Sequence, residues 1–449
     1  MTGYDWGLNP EAEAWQRAQV LSFLEESVYA RTLATQIEQG TSTDFFDWID
    51  HMVIPRERVD ASALSKMGFR ERALQTDKRE VYSVEGTTLP PVVMGEEDTI
   101  ELAIKPEDLD AFKRALVLGS RVEGDFAAPY RRLVVNEARG HLLCAVERRG
   151  TDGFSVRSVN DIEEYLRALE WFATRERGHS SVAEQMSELE AEIIDMGKTL
   201  EQSRIADAFF RVERRFWQSR NKAGRAQKSR QDVFGLGWGN TDHHTFRSSR
   251  SNFASLIRVL KALGLTPRER YYAGAQAGWG AQIMEGPGSR NIVFADVDLG
   301  EEERQLDFTR EELEEGSERG TVGLWASLHG ESILGAGMHH LAARFRFDDL
   351  AKDLRAEGIE MMKPFSNLPF LRQAFTKGER WRPRPDSLAG LRSSGLISSD
   401  QESYFRTEGA VGSHLENIQR RHGFKGFNQD SVSAIIKATD PRLQMVRGA

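Results

Sequence analysis

Ser413-His414-Leu415-Glu416-Asn417-Ile418-Gln419-Arg420-Arg421-His422-Gly423-Phe424 reads as a β-strand running into a basic pair and a glycine–aromatic turn. One acid, Glu416, stands among its apolar neighbours. Glutamate is rarely fully buried without a partner, so the position calls for a cation. Two upstream segments each open a strand-like run with a histidine pair: Asp242-His243-His244-Thr245-Phe246 and Gly337-Met338-His339-His340-Leu341-Ala342. Successive residues of a strand face opposite sides, so one histidine of each pair can face inward while its neighbour faces out. One from each pair, with Glu416, would surround a divalent metal. A buried, hydrogen-bonded histidine is the ordinary explanation for any one of them alone. Two pairs at equivalent places in repeated units, with a Glu on the closing strand, favour the metal. Two His and one carboxylate leave coordination positions open, which suits a non-haem Fe(II) centre; zinc with the same ligands is chemically possible.

Around these strands the chain reads as repeated units. Thr241–Phe246 is a strand, Phe253–Leu263 a helix with apolar residues at three- and four-residue spacing, and Gly280–Met284 and Asn291–Val297 are strands. Met338–Arg346, helix Asp348–Glu357, and strands at Ile359–Met362, Glu402–Arg406 and His414–Gln419 repeat the order, with Ser431–Lys437 as a closing helix. The same order precedes them twice. Trp48–Ile54, Val59–Met67, Val81–Val84 and Val92–Met94 form one unit. Thr99–Lys105, a helix opened by Pro106 in its favoured first turn, Arg132–Asn136 and His141–Glu147 form the next. The expected fold is α+β: four βαβββ modules in two halves, with an inserted helical hairpin. The divisions are an N-terminal helical segment over 1–46, a first module pair over 47–150, the helical insertion over 151–235, and a second pair over 236–449 carrying the metal site. Structure or dimerisation is the plain reading of the insertion, so a homo-oligomer is an expectation.

Composition bounds the function. The chain has 449 residues, 39% hydrophobic and 29% charged, with a net charge of −9. That balance offers no basic footprint for nucleic acid, and the basic run at Arg220–Arg230 reads as a solvated helix end. A single cysteine, Cys144, excludes an internal disulfide framework and fits a reducing compartment. No run reaches the roughly 18 apolar residues of a membrane span, and no basic-then-apolar leader opens the chain. The expectation is a cytoplasmic protein with no nucleic-acid or membrane partner.

The C-terminal part resembles the 4-hydroxyphenylpyruvate dioxygenase family of the vicinal oxygen chelate superfamily. That family's GVQHIAL pattern is similar to Gly337-Met338-His339-His340-Leu341-Ala342-Ala343, and its FFEIIQR followed by GFGxGNF to His414–Arg420 and Gly423–Asn428. Its GIL–D–GYLLQIF segment resembles Gly395-Leu396-Ile397 through Tyr404-Phe405, and its DH opening resembles Asp242-His243. The resemblance spans roughly Thr241 to Arg442, and the N-terminal half only as architecture. It implies His243, His340 and Glu416 as Fe(II) ligands, with His244 and His339 as the alternatives one residue out of register. It implies Phe424 as an aromatic over the substrate, and Asn428, Gln429 and the closing helix as a gate. A fainter similarity of Asp242–Arg247 to the NHLTPR stretch of the 2-oxoadipate dioxygenase family again implies His243, and Arg247 as partner of a substrate carboxylate. The chain departs from the pattern in lacking PLNEP, in carrying the insertion, and in having Arg406 or Thr407 nearest the place of the substrate-contacting Gln.

The implied activity is oxidative decarboxylation of a 2-oxo acid by dioxygen, with hydroxylation of the remainder of the same substrate. The substrate would be 4-hydroxyphenylpyruvate-like or 2-oxoadipate-like. Another metal-dependent oxygen-chelate reaction (extradiol cleavage or a glyoxalase-like isomerisation) is the alternative within enzymes. A binding module that holds a small molecule without turnover is the alternative outside them.

Overall fold

A computed structural model describes residues 6–74, 77–178, 181–274, 277–286, 288–314, 319–428, 440 and 442 of the chain. The closing helix expected at Ser431–Lys437, and Gln429, lie outside the described residues.

The N-terminal half is built from β1 (Ile49–Pro55), β2 (Arg70–Glu71), β3 (Val81–Ser83), β4 (Val92–Gly95), β5 (Ile100–Ile104), β6 (Val122–Glu123), β7 (Tyr130–Ala138) and β8 (His141–Arg148). Helices Ala61–Lys66 and Leu109–Ala115 follow β1 and β5. The C-terminal half is built from β9 (Thr241–Arg247), β10 (Thr266–Tyr272), β11 (Trp279–Glu285), β12 (Ile292–Asp298), β13 (His340–Arg344), β14 (Ser366–Leu368), β15 (Leu371–Phe375), β16 (Glu379–Trp381) and β17 (Ala410–Arg420). Helices Arg250–Ala262 and Phe347–Ala356 follow β9 and β13.

Among the described residues the two sheets run β2-β3-β4-β1-β5-β8-β7-β6 and β10-β11-β12-β9-β13-β17-β15-β14, with β16 beside β17. In each module the first strand pairs parallel with the last: β1 with β4, β5 with β8, β9 with β12, and β13 with β17. The two first strands of each half pair antiparallel, β1 with β5 and β9 with β13. These are four βαβββ modules in two halves, the vicinal-oxygen-chelate architecture the sequence led us to expect.

Both halves carry an irregularity at the same place, between Ile49 and His51 on β1 and opposite Asp242 on β9. A bulge re-aims the side chain it displaces. Here it lets each aspartate turn toward the ring of the histidine that follows it.

The insertion extends beyond a hairpin. Among its described residues it forms helices Ile162–Thr174, Val182–Met196, Gln202–Ser219 and Lys222–Asp232. Ile205, Phe209, Phe210 and Val212 on the third are buried in the main core cluster with Phe246 of β9. The helix thus covers the outer face of the C-terminal sheet and leaves the other face to form a cavity. Two further helices, Pro10–Glu26 and Val28–Thr41, pack on the N-terminal core.

Two expected strands are corrected. Glu402–Arg406 lies inside helix Ser399–Glu408, which Ser398 and Gln401 open with a reciprocal capping box. Ile359–Met362 makes only an isolated bridge, Met361 to Thr376. Among the described residues no helix is long and apolar enough to cross a membrane.

Candidate metal centre

Strand register brings the candidate ligands together. His243 of β9 pairs with Ala342 of β13, and Ala342 with Glu416 of β17. Two residues along, Thr245 pairs with His340, and His340 with His414. His243, Glu416 and His340 therefore share the inward face of three adjacent strands.

Glu416 Oε2 lies 3.2 Å from His243 Nε2 and 3.0 Å from His340 Nε2. The three ligand atoms lie within 4.8 Å of one another, and theirs is the one such group found among the described residues. Atoms bound at right angles about 2.1 Å from a common cation sit about 3.0 Å apart, so these edges fit coordination without rearrangement. All three residues are buried.

Supporting groups fix the donors. Asp242 Oδ1 accepts from His243 Nδ1 at 3.1 Å, which turns Nε2 inward as a lone-pair donor. Arg420 grips Asp242 with two bonds of 2.9 Å, and Arg344 adds a third at 3.1 Å. Burial alone would raise the Asp242 carboxyl, yet these cations and His243 hold it well below the usual carboxylate range. Burial would also raise the Glu416 carboxyl, but His243 and His340 hold it down, so it is an anion ready for a cation. Gln373 Nε2 donates to Glu416 Oε1 at 2.9 Å, leaving Oε2 to the centre. Thr245 Oγ1 sits 2.7 Å from His340 Nε2. A deprotonated carboxylate, the His243 imidazole oriented by Asp242 and the His340 imidazole are a donor set that fits a divalent metal.

The alternative histidines stand apart from this group. His244 points to the outer face, where Arg214 donates to its Nε2 at 3.3 Å and Phe210 packs on its ring. His339 lines the cavity, but its Nδ1 is 3.1 Å from the Gly412 carbonyl oxygen and its ring packs on Trp325 and His414.

The group opens into a cavity of about 60 Å³. Tyr271, Trp279, Phe294, Phe365, Phe375 and Phe427 form its aromatic wall, and Arg247, Asp296 and Asn428 its polar part. Phe427 stacks edge-on against His243 at 5.1 Å.

Phe424, expected over the substrate, instead packs on Phe370 and bridges to Thr87 of the N-terminal half; Phe427 holds the place over the metal group. Arg247, named as partner of a substrate carboxylate, lines the cavity, 3.8 Å from Asp296. Asn428 lies at the wall, its side chain donating to the Phe365 carbonyl oxygen and its backbone N–H to Gln373 Oε1.

Gln373 is a functional position that the sequence patterns above do not single out. The segment matched to GYLLQIF, Gly395–Phe405, belongs to helix Ser399–Glu408 and its approach, and Arg406 and Thr407 are exposed on it. The strand beside Glu416 is β15, Leu371-Arg372-Gln373-Ala374-Phe375. Its Leu371, Gln373 and Phe375 agree with the first, third and fifth residues of LLQIF, and that likeness is the signal in the sequence that marks Gln373.

The chain thus has a pair of sheets built from doubled βαβββ modules, the vicinal-oxygen-chelate fold, with a His–His–Glu group inside the second pair as the one candidate metal centre among the described residues. No protein-family model matches the chain, and no curated protein matches it in sequence. Among solved structures it is similar to a triple mutant of 4-hydroxymandelate synthase from Streptomyces coelicolor, at 13% identity and a TM-score of 0.31, covering 88% of this chain and 98% of that one. It is also similar to methylmalonyl-CoA epimerase from Mycobacterium tuberculosis, at 14% identity and a TM-score of 0.24, covering 40% of this chain and 88% of that one. Likenesses at this level carry no chemistry with them.

Proposed function

We propose that this chain is a non-haem Fe(II) dioxygenase that decarboxylates a 2-oxo acid oxidatively and hydroxylates the remainder. The observation that carries the reading is the convergence of His243 Nε2, His340 Nε2 and Glu416 Oε2 on the wall of a largely aromatic cavity. Two imidazoles and one carboxylate leave several positions of an octahedral ion free, the arrangement non-haem Fe(II) oxygenases use. Bound there, Fe(II) supplies the positions at which a 2-oxo acid and dioxygen meet.

The chain's own residues do the rest. Asp242 keeps the His243 proton on Nδ1, and Gln373 fixes the Glu416 carboxylate. Phe294, Phe375 and Phe427 surround the group and limit water near the reacting atoms. Arg247, with its planar fork, suits an oxygen at the far end of the substrate. For each substrate consumed, one dioxygen is taken up and one carbon dioxide released.

The test is metal analysis of the purified protein, then oxygen-electrode and carbon dioxide measurements over aromatic and dicarboxylic 2-oxo acids. Uptake matched by release is expected with at least one of them. Iron-loaded protein that consumes no oxygen with any 2-oxo acid overturns the reading. Metal bound without oxygen uptake would point to an isomerising member of the same architecture.

A further inference from the structure

The two halves are internal copies, and the copy separates what the fold needs from what the metal half adds. Strand register aligns Asp50-His51 of β1 with Asp242-His243 of β9. Asp50 meets the His51 ring at 2.8 Å and is gripped by Arg148 of β8, as Asp242 is by Arg420 of β17. Phe154 lies edge-on to His51 at 4.8 Å, as Phe427 does to His243. What stands behind the two rings differs. Phe154 is backed by the guanidinium groups of Arg148 and Arg290. Phe427 has Arg420 at 4.8 Å and Arg268 at 5.7 Å, and Arg268 in turn lies 4.7 Å from the ring of Trp6.

Trp6 arrives on a strap. Asn9 caps helix Pro10–Glu26, its side chain accepting from Ala12 N–H, and Pro10 takes the favoured first turn. Asn9 is pinned on two more sides: its side chain donates to the Met67 carbonyl oxygen and its backbone N–H to that of His422. The two residues before it carry little packing. A Cβ at Gly7 would meet nothing within 4 Å, and Leu8 is 44% exposed.

Trp6 is then held again. Its Nε1 donates to Glu269 Oε2 at 3.0 Å, and Arg268 and Lys425 set their charges over the ring at 4.7 and 5.5 Å, where the indole quadrupole attracts a cation. Its five-membered ring lies on Gly426, where a Cβ would stand 2.6 Å away. Lys425 and Gly426 immediately precede Phe427. One side chain therefore bears on Phe427 by two routes, through Arg268 and through the backbone of the turn. The strap also spans a cleft of about 620 Å³, lined by Trp6, Asn9, Thr87, Arg268, Glu285 and Lys425. Phe427 belongs to the wall of the metal cavity, and its neighbours Arg268 and Lys425 to the wall of this cleft.

We propose that Trp6 is a positioning residue and the latch of the metal cavity. Seated, it keeps Phe427 closed over His243; unseated, it lets the turn move and joins the cavity to the cleft. A side chain that only packed the halves together would need no bare span behind it. Two sparsely packed residues beside the pinned Asn9 let the anchor leave while helix Pro10–Glu26 stays folded, and segments with few buried contacts are those that open first. The N-terminal copy has the covering phenylalanine without an indole behind it, so the latch belongs to the half with the metal group. It governs access and not chemistry. The inference thus goes beyond the dioxygenase reading and applies to whatever reaches the His243–His340–Glu416 group.

The test uses the full chain as wild type, Trp6→Ala and Trp6→Phe. In metal-free protein Trp6→Ala should speed amide exchange over residues 424–428 about tenfold and leave β9, β13 and β17 unchanged. Stopped-flow absorbance then follows Co(II) entry and its extraction by excess EDTA. Both rates should rise about tenfold in Trp6→Ala, with the Co(II) dissociation constant held within about twofold, because a latch sets one barrier crossed in both directions. Trp6→Phe keeps a ring for Arg268 but loses the bond to Glu269, and should fall between. Unchanged exchange in both variants, or faster exchange with unchanged Co(II) rates, overturns the latch. So does a dissociation constant that rises in step with extraction, which would make Trp6 a support of the ligands and not of the way in. Oxygen uptake with a 2-oxo acid but unmoved Co(II) rates leaves the dioxygenase reading standing and this one lost; moved rates without oxygen uptake do the reverse. If the chain takes up no Co(II), both are lost.

Discussion

His243 and His244 are neighbours in the chain and opposites in role, because a strand sends them to different faces. His243 meets Glu416 inside, whereas His244 lies under Phe210 and Arg214 of the helical insertion. His243→Ala should drop bound metal well below one equivalent per chain. His244→Ala should leave metal binding within a few-fold of wild type while lowering thermal stability by about 2 kcal/mol through lost packing. Elemental analysis and thermal melts on both variants check this, and metal loss in His244→Ala at an intact fold would show the register to be wrong. The inward set was legible because alternation along a strand is regular: once Glu416 faces in, so does His414, and pairing then selects His340. Phe424 was misplaced because that regularity ends at Arg420. His422 and Gly423 take φ of 59° and 67°, and three residues of turn move the aromatic over the metal group from 424 to 427. Gln373 escapes the sequence pattern for a different reason: its strand is only five residues long, and Gly395-Leu396-Ile397 with Tyr404-Phe405 downstream resembles both ends of the same motif.

The turn after β17 is an element in its own right, since it carries Phe427 and is held from both sides. Arg420 donates to the carbonyl oxygens of Phe424 and Gly426 while gripping Asp242 behind His243. From the N-terminal half, Asn9 N–H donates to His422 O, Thr88 N–H to Gly423 O, and Glu13 Oε2 accepts from Gly423 N–H. At Gly423 an added Cβ would stand 2.9 Å from Leu89 and 3.1 Å from Thr87, on a backbone in the left-handed region. Gly423→Ala should cost this turn about 1–2 kcal/mol and loosen Phe427 without touching a ligand. The expected outcome is unchanged metal content, faster amide exchange over residues 421–428, and roughly tenfold weaker 2-oxo acid binding. Unchanged binding despite faster exchange would show that Phe427 does not contribute to the pocket. Elements of this kind escape pattern reading because their geometry comes from distant partners. Helix Ser399–Glu408, by contrast, was marked locally: Ser398 and Gln401 are a capping box, and that signal should have outweighed the strand-like spacing of Tyr404 and Phe405.

At the scale of the whole molecule the repeat was legible and its asymmetry was not, because modules are recognised by what they share. Register places Glu101 where the second half has His340, Cys144 where it has Glu416, and Arg132 where it has Gln373. The N-terminal half thus retains one of three candidate ligands, His51, among replacements of another kind. Arg132 donates to Glu101 Oε2 at 2.7 Å, so a guanidinium occupies the acid that could otherwise face a metal. Burial pushes the Cys144 thiol up, beyond the range in which it ionises near neutrality, and a thiol ligates metal only as thiolate. His51→Ala should therefore leave metal content unchanged, in contrast to His243→Ala. The converse is stronger. Glu101→His, Cys144→Glu and Arg132→Gln together rebuild the donor set on strands whose pairing, bulge, Asp50–Arg148 relay and covering Phe154 are already in place. Calorimetric titration with Co(II) should then rise from one to two equivalents per chain, the new site weaker because Val53 and Leu142 stand where Thr245 and His414 stand in the other half. The second equivalent should vanish when His51→Ala is added. A folded triple variant that still binds a single metal would show that ligand identity alone does not separate the halves, and that the insertion helix beneath β9 is needed to seat the centre.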